Sequence, residues 1–518
     1  MDLPLLEEIM RKFHIEDQRK AGVILNYTSI AINMVVGLVY TPFLLAKLGQ
    51  SEYGLYSLAA SVIAYLTIFD LGFGNAIIRY TAKFKTEHKT KEIENMLGMF
   101  LQVYLLIGLA VFIAGIIITI FAENIFGENM TAQEVMELKI LLILLTLNLA
   151  FTFPMSIWSS VATAYERFIF LKSLSITVAL LNPLVMVVAL FWGYKAIALV
   201  VVTSFFNILS LVIHCWYCRK ILSVKVSFSK FDWGFVKEIS VYSFWVFLTS
   251  LTDQFYWSSG QFILGIVQGT SAVAIFALAL QLKNIYYTFS LAISSVFLPK
   301  VTKMVTEGTP NKVISDLFIS TGRMQYLVIS YILVEFFILG QPFIRLWAGT
   351  EYERAYFITL LFFISTLIPL IQNIAPTILM ARNQMKSRAI IVLVMSAISL
   401  LISIPVSARY GAVGCAFVIS LAIIVGYGLV LNYYYKMKQD LDTISFWKQI
   451  VYMSFVPMIM IIAYKLFIPS DSVHSWIDLI IVGGITTILF VPLAYHFSMN
   501  DAERKLIHSL IQKINVFK

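Results

Sequence analysis

Charged residues are scarce in this chain of 518 residues, since Asp, Glu, Lys and Arg together make up only 13% of it. Soluble domains usually carry about 25% charged residues, and none of this size is 59% hydrophobic. Polar segments are also short, and the longest reach about twenty residues, at 1–20, 122–137, 219–236, 299–317 and 498–518. None of them is long enough to bury a core of its own, so the composition excludes a soluble catalytic domain.

Residues that bind metals or perform catalysis are equally sparse. The three cysteines are Cys215, Cys218 and Cys415, and the six histidines are scattered without metal-ligand spacing. The sequence has no Walker loop, no GxGxxG motif opening a helix after a strand, and no HExxH motif. We therefore expect no metal site, no cofactor and no enzyme activity. ATP is excluded as a direct energy source within this chain.

What the sequence does contain is fourteen apolar stretches. Each has about 20 or more residues, enough for a helix rising about 1.5 Å per residue to cross a hydrocarbon layer of roughly 30 Å. The pattern predicts an all-α polytopic membrane protein. The predicted spans are 22–47, 54–80, 95–121, 138–160, 169–193, 196–218, 237–266, 270–298, 318–345, 355–381, 388–408, 411–436, 446–468 and 476–497.

The distribution of positive charge predicts the orientation. With the N-terminus placed in the cytoplasm, the predicted cytoplasmic segments hold 30 Lys and Arg residues and the external loops hold seven. Cationic loops resist translocation, so both termini are predicted to be cytoplasmic. The net charge of +9 then reflects topology and attraction to anionic lipid, and no nucleic-acid partner is expected. Met1–Lys20 lacks an apolar h-region, so we predict a short interfacial helix there and no cleaved signal peptide.

A weak internal repeat predicts two similar halves. An offset of 220 residues aligns Leu45–Ala59 with Gly265–Ala279, and matches Gly49 with Gly269. An even number of spans per unit gives parallel repeats, and we predict two pseudo-symmetric six-helix lobes plus an extra helix pair. The predicted segments are an N-terminal interfacial segment 1–20, an N-lobe 21–222, a linker 223–236, a C-lobe 237–436, the helix pair 446–497 and a cytoplasmic tail 498–518.

The first hairpin carries a family resemblance. The segments YTPFLLAKLGQSEYGLYSL (40–58) and FDLGFGNAIIRY (69–80) resemble the opening of the polysaccharide transporter family. Asp253, Ile263–Gly265 and Ala274–Ala279 are similar to the start of that family's second lobe. This family comprises the O-antigen and capsule flippases of the multidrug/oligosaccharidyl-lipid/polysaccharide exporter superfamily.

The resemblance implies a function in the bacterial cytoplasmic membrane. It implies transfer of undecaprenyl-pyrophosphate-linked oligosaccharide from the inner to the outer leaflet by alternating access, with residues 446–497 guiding the lipid tail. Membrane lipids, a polysaccharide polymerase and assembly proteins are the implied partners. The energy is expected to come from a proton or sodium gradient, the membrane potential or product removal. One departure concerns the positive charges, because such flippases often carry several arginines in the cavity and this chain has only Lys283 near mid-span.

Ionisable residues inside the predicted spans are the first candidates for the site. A charge in hydrocarbon costs about 2.5–3.5 kcal/mol on insertion scales, so such residues are expected to have a role. Four lie near mid-depth, namely Asp70, Asp253, Lys283 and Glu335. Asp253 and Lys283 are predicted at similar height on adjacent helices, where an ion pair is reasonable. That pair either locks the second lobe or opens when substrate phosphate or a proton arrives.

Polar and flexible positions complete the candidate set. Asn33, Gln254 and Gln281 are candidates for binding sugar hydroxyls, or for ordinary interhelical hydrogen bonds. Arg79 is placed to bind a pyrophosphate at the inner mouth, or to act as a cytoplasmic anchor. Candidate hinges are Gly72 and Gly74 in the second span, and Pro369 and Pro376 in the tenth, where prolines free backbone carbonyls.

Two other functions compete with the flippase. A drug or organic-cation antiporter of the same superfamily is favoured by three acids against one lysine at mid-depth, and disfavoured by the basic inner rim and the fourteen spans. A membrane enzyme, such as a polysaccharide polymerase or glycosyltransferase, needs a sizeable external loop. The largest external loop here, 122–137, is short.

Overall fold

The structure is a computed structural model that describes residues 15–228, 231–294, 297–382, 384–467, 473–505 and 508. Within these ranges the chain is helical almost throughout and contains no β-strand. Most of the predicted interfacial helix at 1–20 lies outside the described residues. Ile15 begins a helix that continues without interruption to Leu48 and so includes the whole first predicted span.

Nine helices form the first part of the described chain. Two of them are separated by a π-helical turn at Gln254–Ser258. Their bounds are α1 Ile15–Leu48, α2 Gln50–Leu66, α3 Phe73–Thr86, α4 Thr90–Phe126, α5 Ala132–Ala164, α6 Phe168–Phe191, α7 Ala196–Lys220, α8 Trp233–Asp253 and α9 Ser259–Val267.

Ten helices follow in the remaining described residues. A π-helical turn at Ile424–Val430 precedes α16, and another at Ala494–Ser498 follows α19. The bounds are α10 Thr270–Ser294, α11 Leu298–Thr306, α12 Asn311–Ala348, α13 Ala355–Ile371, α14 Ala375–Ala381, α15 Met385–Ile423, α16 Leu431–Gln439, α17 Thr443–Met453, α18 Phe455–Phe467 and α19 Trp476–Leu493.

Twelve helical segments of the described chain are long and apolar enough to span a membrane. One of them, Met385–Gln439, has 55 residues, too many for a single crossing of roughly 30 Å. Its backbone leaves the helical conformation at Gly411 (φ 61°, ψ −150°), the first residue of the second of the two spans predicted there. The seventh predicted span corresponds to α8 and α9 with their π-helical turn. The predicted all-α polytopic membrane fold is therefore confirmed.

The chain divides into two compact units, Met1–Ala274 and Ile275–Lys518. The first unit contains α8 and α9, which the sequence pattern assigned to the second lobe. The boundaries predicted from the repeat, and the symmetry of the lobes, stay predictions.

The two glycines aligned by the repeat have the same backbone conformation. Gly49 (φ 79°) and Gly269 (φ 77°) both lie in the left-handed region, which L-residues with a side chain adopt only at a cost. Each immediately precedes a helix, α2 at Gln50 and α10 at Thr270. A positive φ at these positions lets one helix end and the next begin within one or two residues.

Candidate functional site

The second predicted span is interrupted beside Asp70. After α2 the chain forms a single 3₁₀ turn, Thr67–Asp70, and then passes through Leu71 (φ 52°) and Gly72 (φ 75°) before α3 begins. A left-handed non-glycine residue such as Leu71 costs about 1–3 kcal/mol and persists only where the surroundings impose it. The helix is therefore broken at Gly72, one of the two candidate hinge residues of this span, whereas Gly74 lies inside α3. Their use as a hinge stays a prediction.

Asp70 is held by a phenol from a neighbouring helix. The Tyr104 hydroxyl of α4 donates to Asp70 Oδ1 at 2.7 Å. Tyr104 is fully buried, stacks on Phe153 with ring centroids 6.1 Å apart, and meets Phe73 edge-on at 6.3 Å. The aromatic cluster fixes the hydroxyl, which in turn fixes the carboxylate at the helix break. In this conformation Asp70 accepts a hydrogen bond from a neutral donor.

We expect Tyr104→Phe to lower the free energy of unfolding by about 1.5–3 kcal/mol, because the half-buried Asp70 carboxylate loses a charged hydrogen bond. Thermal unfolding of the purified chain in detergent measures the change. The matched control is the same substitution in an Asp70→Asn background, where the cost should shrink. Equal costs in both backgrounds would show that the hydrogen bond contributes nothing.

Glu335 connects the ninth and fourteenth predicted spans. Thr486 Oγ1 of α19 donates to Glu335 Oε1 at 2.5 Å, with Thr487 Oγ1 at 3.5 Å from the same oxygen. Thr487 in turn shares a 2.7 Å hydrogen bond with the Tyr331 hydroxyl. The helix α19 approaches closely at Gly483, where an added Cβ would lie 3.2 Å from Leu339 Cδ1. Glu335 therefore acts in the packing of α12 against the extra helix pair.

The tenth predicted span is broken where the prolines predicted it. Helix α13 ends at Ile371 and α14 begins at Ala375, with Pro369 and Pro376 on either side. The freed carbonyl of Leu370 accepts from Ser290 Oγ at 2.9 Å. Side chains from other helices thus satisfy the broken backbone, as a helix break away from water requires. The hinge role of the two prolines stays a prediction.

Amide side chains close this break. Buried Gln372 donates from Nε2 to Asn432 Oδ1 at 2.8 Å, and Trp447 Nε1 donates to the same oxygen at 2.8 Å. Gln325 faces the carbonyls of Leu370 and Ile371, and its amide nitrogen reaches them at 2.9 and 3.2 Å in the orientation that satisfies both groups. In this conformation the break is therefore held by side chains from other helices of the second unit.

The predicted site residues are divided between the two units. Asn33 donates to Ser29 O of its own helix at 2.7 Å, and Gln254 accepts from Ser258 at 2.6 Å within its own turn. Arg79 is exposed beside Tyr80. The first unit holds Asn33, Asp70, Arg79, Asp253 and Gln254, and the second holds Gln281, Lys283 and Glu335. Asp253 and Lys283 belong to different units, and the ion pair between them stays a prediction.

Comparison with known proteins identifies the family. Residues 20–305, more than half of the chain, match the family described as "Polysaccharide biosynthesis protein". The chain belongs to this family. The resemblance predicted from residues 40–58 and 69–80 is thereby confirmed.

One curated relative is the "Putative O-antigen transporter" of Shigella flexneri, which is 22% identical over 258 residues. The match covers 49% of this chain and 59% of that protein, so the chain spans little more than half the length of the relative.

Solved structures with the same fold are more distant in sequence. A lipid II flippase MurJ in an inward closed conformation has a TM-score of 0.72 at 18% identity, over 92% of this chain and 99% of that one. An inward-facing multidrug resistance MATE family transporter of the MOP superfamily has a TM-score of 0.61 at 11% identity, over 79% and 96%. At such identities the likeness establishes the fold.

In this polysaccharide biosynthesis protein, the motif that carries the family resemblance forms a polar junction that the sequence did not reveal. Glu134 Oε1 accepts from Ser51 Oγ at 2.5 Å and from Thr270 Oγ1 at 2.8 Å, and Glu134 also caps α5 through Thr131. The junction joins the N-terminal ends of α2, α5 and α10. The sequence did contain one indication of this junction, the segment Gly49–Gly54, which places polar residues at the start of a helix.

Glu52 extends the junction to α7. Its carboxylate accepts from Lys195 Nζ at 2.8 Å and from the Ala196 backbone N–H at 3.2 Å. The hydrogen bond that Lys195 donates to the Glu52 carboxylate raises the pKa of Lys195 above its ordinary value. Neither residue was a candidate from sequence, because both were assigned to an external loop without a partner.

Arg323 also acquires a partner that sequence could not supply. Its guanidinium binds the Glu503 carboxylate through two hydrogen bonds, Nε–Oε1 at 2.7 Å and Nη2–Oε2 at 2.8 Å. Nη2 also donates to the Ser498 carbonyl at 2.8 Å. Both charged side chains are buried, at 5% and 6% exposure. The start of the predicted cytoplasmic tail is thus fixed to α12.

Proposed function

We propose that this chain transfers an undecaprenyl-pyrophosphate-linked oligosaccharide from the inner to the outer leaflet of the bacterial cytoplasmic membrane, for cell-surface polysaccharide synthesis. The observation that carries the proposal is the shared fold with a lipid II flippase over 92% of the chain. The family match and the O-antigen transporter relative support the same class of substrate. A polysaccharide polymerase and assembly proteins would receive the product outside.

The physical problem is to move a polar headgroup through hydrocarbon while the polyprenyl tail stays in lipid. Carbohydrate hydroxyls and phosphates need hydrogen-bond partners at mid-depth, because unpaired polar groups in lipid are costly. Side chains such as Lys283, Gln281 and Asp70 could supply these partners once they exchange their present interactions for contacts with the substrate. Alternating access between two conformations, driven by a proton or sodium gradient or by product removal, would move the site from one face to the other.

Transport can be tested directly in vesicles. The purified chain is reconstituted into liposomes containing a fluorescent undecaprenyl-diphosphate oligosaccharide, and a glycosidase is added outside. Glycolipid headgroups cross a bilayer very slowly unaided, so we expect cleavage of nearly all the glycolipid with the chain and of the outer-leaflet share alone in protein-free vesicles. Cleavage limited to the outer-leaflet share in both preparations contradicts the proposal.

The alternative function is that of an organic-cation antiporter. Two observations favour it: the fold that this chain shares with a multidrug MATE transporter, and the acidic residues predicted at mid-depth. The same vesicles, loaded with ethidium and given a proton or sodium gradient, separate the two functions. Gradient-driven movement of ethidium without glycolipid transfer would replace the flippase by the antiporter.

A further inference from the structure

The first unit contains an apolar cavity between α6 and α7. Its volume is about 770 Å³, which is within the range of pockets that hold small organic ligands. The loop 192–195 joins the two helices at the end that the charge pattern predicts to be external. From this loop the cavity extends along α6 as far as Val185 and along α7 as far as Val202, about two helical turns in each case.

The body of this cavity suits hydrocarbon better than water. Val185 and Val188 line it from α6, and Ala198 and Val202 line it from α7. A bound water needs several polar partners, and these side chains offer none. An empty cavity would forfeit the dispersion contacts of the atoms that line it. In a chain that spans a membrane, the acyl chain of a lipid is the hydrocarbon available to fill it.

Polar and charged side chains line the loop end of the cavity. Trp192 and Lys195 belong to the loop, and Glu52 and Glu137 reach the cavity from α2 and α5. Lys195 Nζ lies 2.8 Å from Glu52 Oε1, yet its side chain is 60% exposed, so the ammonium keeps N–H groups for a further acceptor. Glu137 accepts from Gln133 Nε2 of its own helix at 2.9 Å, which leaves lone pairs for a further donor.

These charges favour a zwitterionic headgroup. Two carboxylates and one ammonium leave one negative charge in excess, which disfavours an anionic lipid. A phosphate can accept from Lys195 and from the Trp192 indole N–H, while an ammonium can donate to Glu137. The hydrogen bond to Glu52, and then the charge of Glu137, raise the pKa of Lys195, so its ammonium stays charged for the phosphate.

We propose that the cavity between α6 and α7 binds phosphatidylethanolamine, with an acyl chain between the helices and the headgroup between Lys195 and Glu137. The primary ammonium of this lipid has N–H groups for the Glu137 carboxylate, whereas the quaternary ammonium of phosphatidylcholine has none. Phosphatidylglycerol offers no positive charge to either carboxylate. The lipid is a bound partner of the fold and not the transported molecule, so the inference stands apart from the proposed function.

Lipid binding to the purified full-length chain in detergent tests the headgroup assignment. The probes are phosphatidylethanolamine, phosphatidylcholine and phosphatidylglycerol with identical acyl chains, each titrated and followed by native mass spectrometry. We expect phosphatidylethanolamine to bind at least about tenfold more tightly than the other two. Glu137→Gln should weaken its binding about tenfold and leave phosphatidylcholine binding unchanged, because the variant loses a charged hydrogen bond and keeps the side-chain size.

The control for Glu137→Gln is Glu128→Gln, since Glu128 is exposed near the same end of α5 and does not line the cavity. This variant should bind all three lipids as the wild-type chain does.

Ala198→Phe tests the acyl-chain assignment. An aromatic ring at this position of α7 would occupy the cavity, so phosphatidylethanolamine binding should fall at least about tenfold. Val212→Phe is the matched control, because Val212 is exposed on the same helix and lies outside the cavity lining. Thermal unfolding of each variant identifies a loss of binding that comes from misfolding, and Ala198→Leu replaces Ala198→Phe if the larger side chain prevents folding.

Three outcomes would overturn the inference. Equal binding of the three lipids would show that the cavity holds ordinary bilayer lipid without selection. Phosphatidylethanolamine binding that survives in folded Ala198→Phe would place the lipid elsewhere on the chain. Undecaprenol that excludes phosphatidylethanolamine from the wild-type chain, and that no longer binds to Ala198→Phe, would assign the cavity to a polyprenyl chain.

Discussion

Arg323→Ala should lower the free energy of unfolding by about 3–5 kcal/mol, because it leaves the Glu503 carboxylate buried without its partner. The carboxylate would lose both charged hydrogen bonds from the guanidinium, and the Ser498 carbonyl would lose its donor. Unfolding of the purified chain in detergent, by heat or by denaturant, measures the loss. The same variant should also release the segment after α19 to protease.

Two controls distinguish the buried pair from an ordinary surface charge. Lys303→Ala removes an exposed lysine whose ion-pair partner, Glu307, is also exposed and lies 3.7 Å away, so it should cost under about 1 kcal/mol. The double replacement Arg323→Met with Glu503→Leu removes both charges together and should cost much less than Arg323→Ala alone. A double variant as unstable as the single one would contradict the assignment of the loss to an unpaired charge.

Gly54→Val should destabilise the first unit by at least about 3 kcal/mol, at the upper end of the cost of overpacking. Gly54 lies inside α2, where an added Cβ would overlap the Thr270 carbonyl oxygen and come within 2.7 Å of its carbon. The obstacle is backbone, which cannot rotate away as a flexible side chain can. The same Thr270 donates to Glu134, so a shift of this turn also breaks the polar junction.

The control for Gly54 is a helical glycine with open space. An added Cβ at Gly484 meets nothing within 4 Å, so Gly484→Ala should be neutral or stabilising by up to about 1 kcal/mol. Thermal unfolding in detergent compares the two, with Gly54→Ala as an intermediate step. A Gly54→Val chain that unfolds at the wild-type temperature would show that the α2 contact with Thr270 relaxes freely.

Sequence reasoning located several individual features of the candidate site. The helix break between Pro369 and Pro376 was predictable because a proline removes a backbone donor wherever it stands in a helix. The break beside Asp70 was predictable from Gly72 for a different reason, because glycine adopts a left-handed conformation at little cost. The partners of these features were not predictable, and the Tyr104 hydroxyl that holds Asp70 comes from another helix 34 residues away.

The four charged candidates at mid-depth were chosen by one rule, which treats every charge at that depth as functional. That rule selected Glu335, whose carboxylate accepts from Thr486 in the packing of α12 against α19. Its role in a substrate site stays a prediction. The rule does not extend to charges at the ends of spans, because such a residue cannot be assigned to water or to protein from its sequence position. Helix ends are uncertain by a few residues from sequence, and one helical turn decides between these environments.

The sequence by itself determined that this chain is a helical membrane protein of the polysaccharide biosynthesis family. The length of an apolar stretch and the charge of a loop act through transfer free energies that add up residue by residue. They can therefore be evaluated from the sequence alone. Only the tertiary structure decided which polar groups meet, as with Glu134 and Thr270 or Arg323 and Glu503. Such pairs depend on which helices pack together and on the rotation of each, and these are set by contacts between segments more than a hundred residues apart.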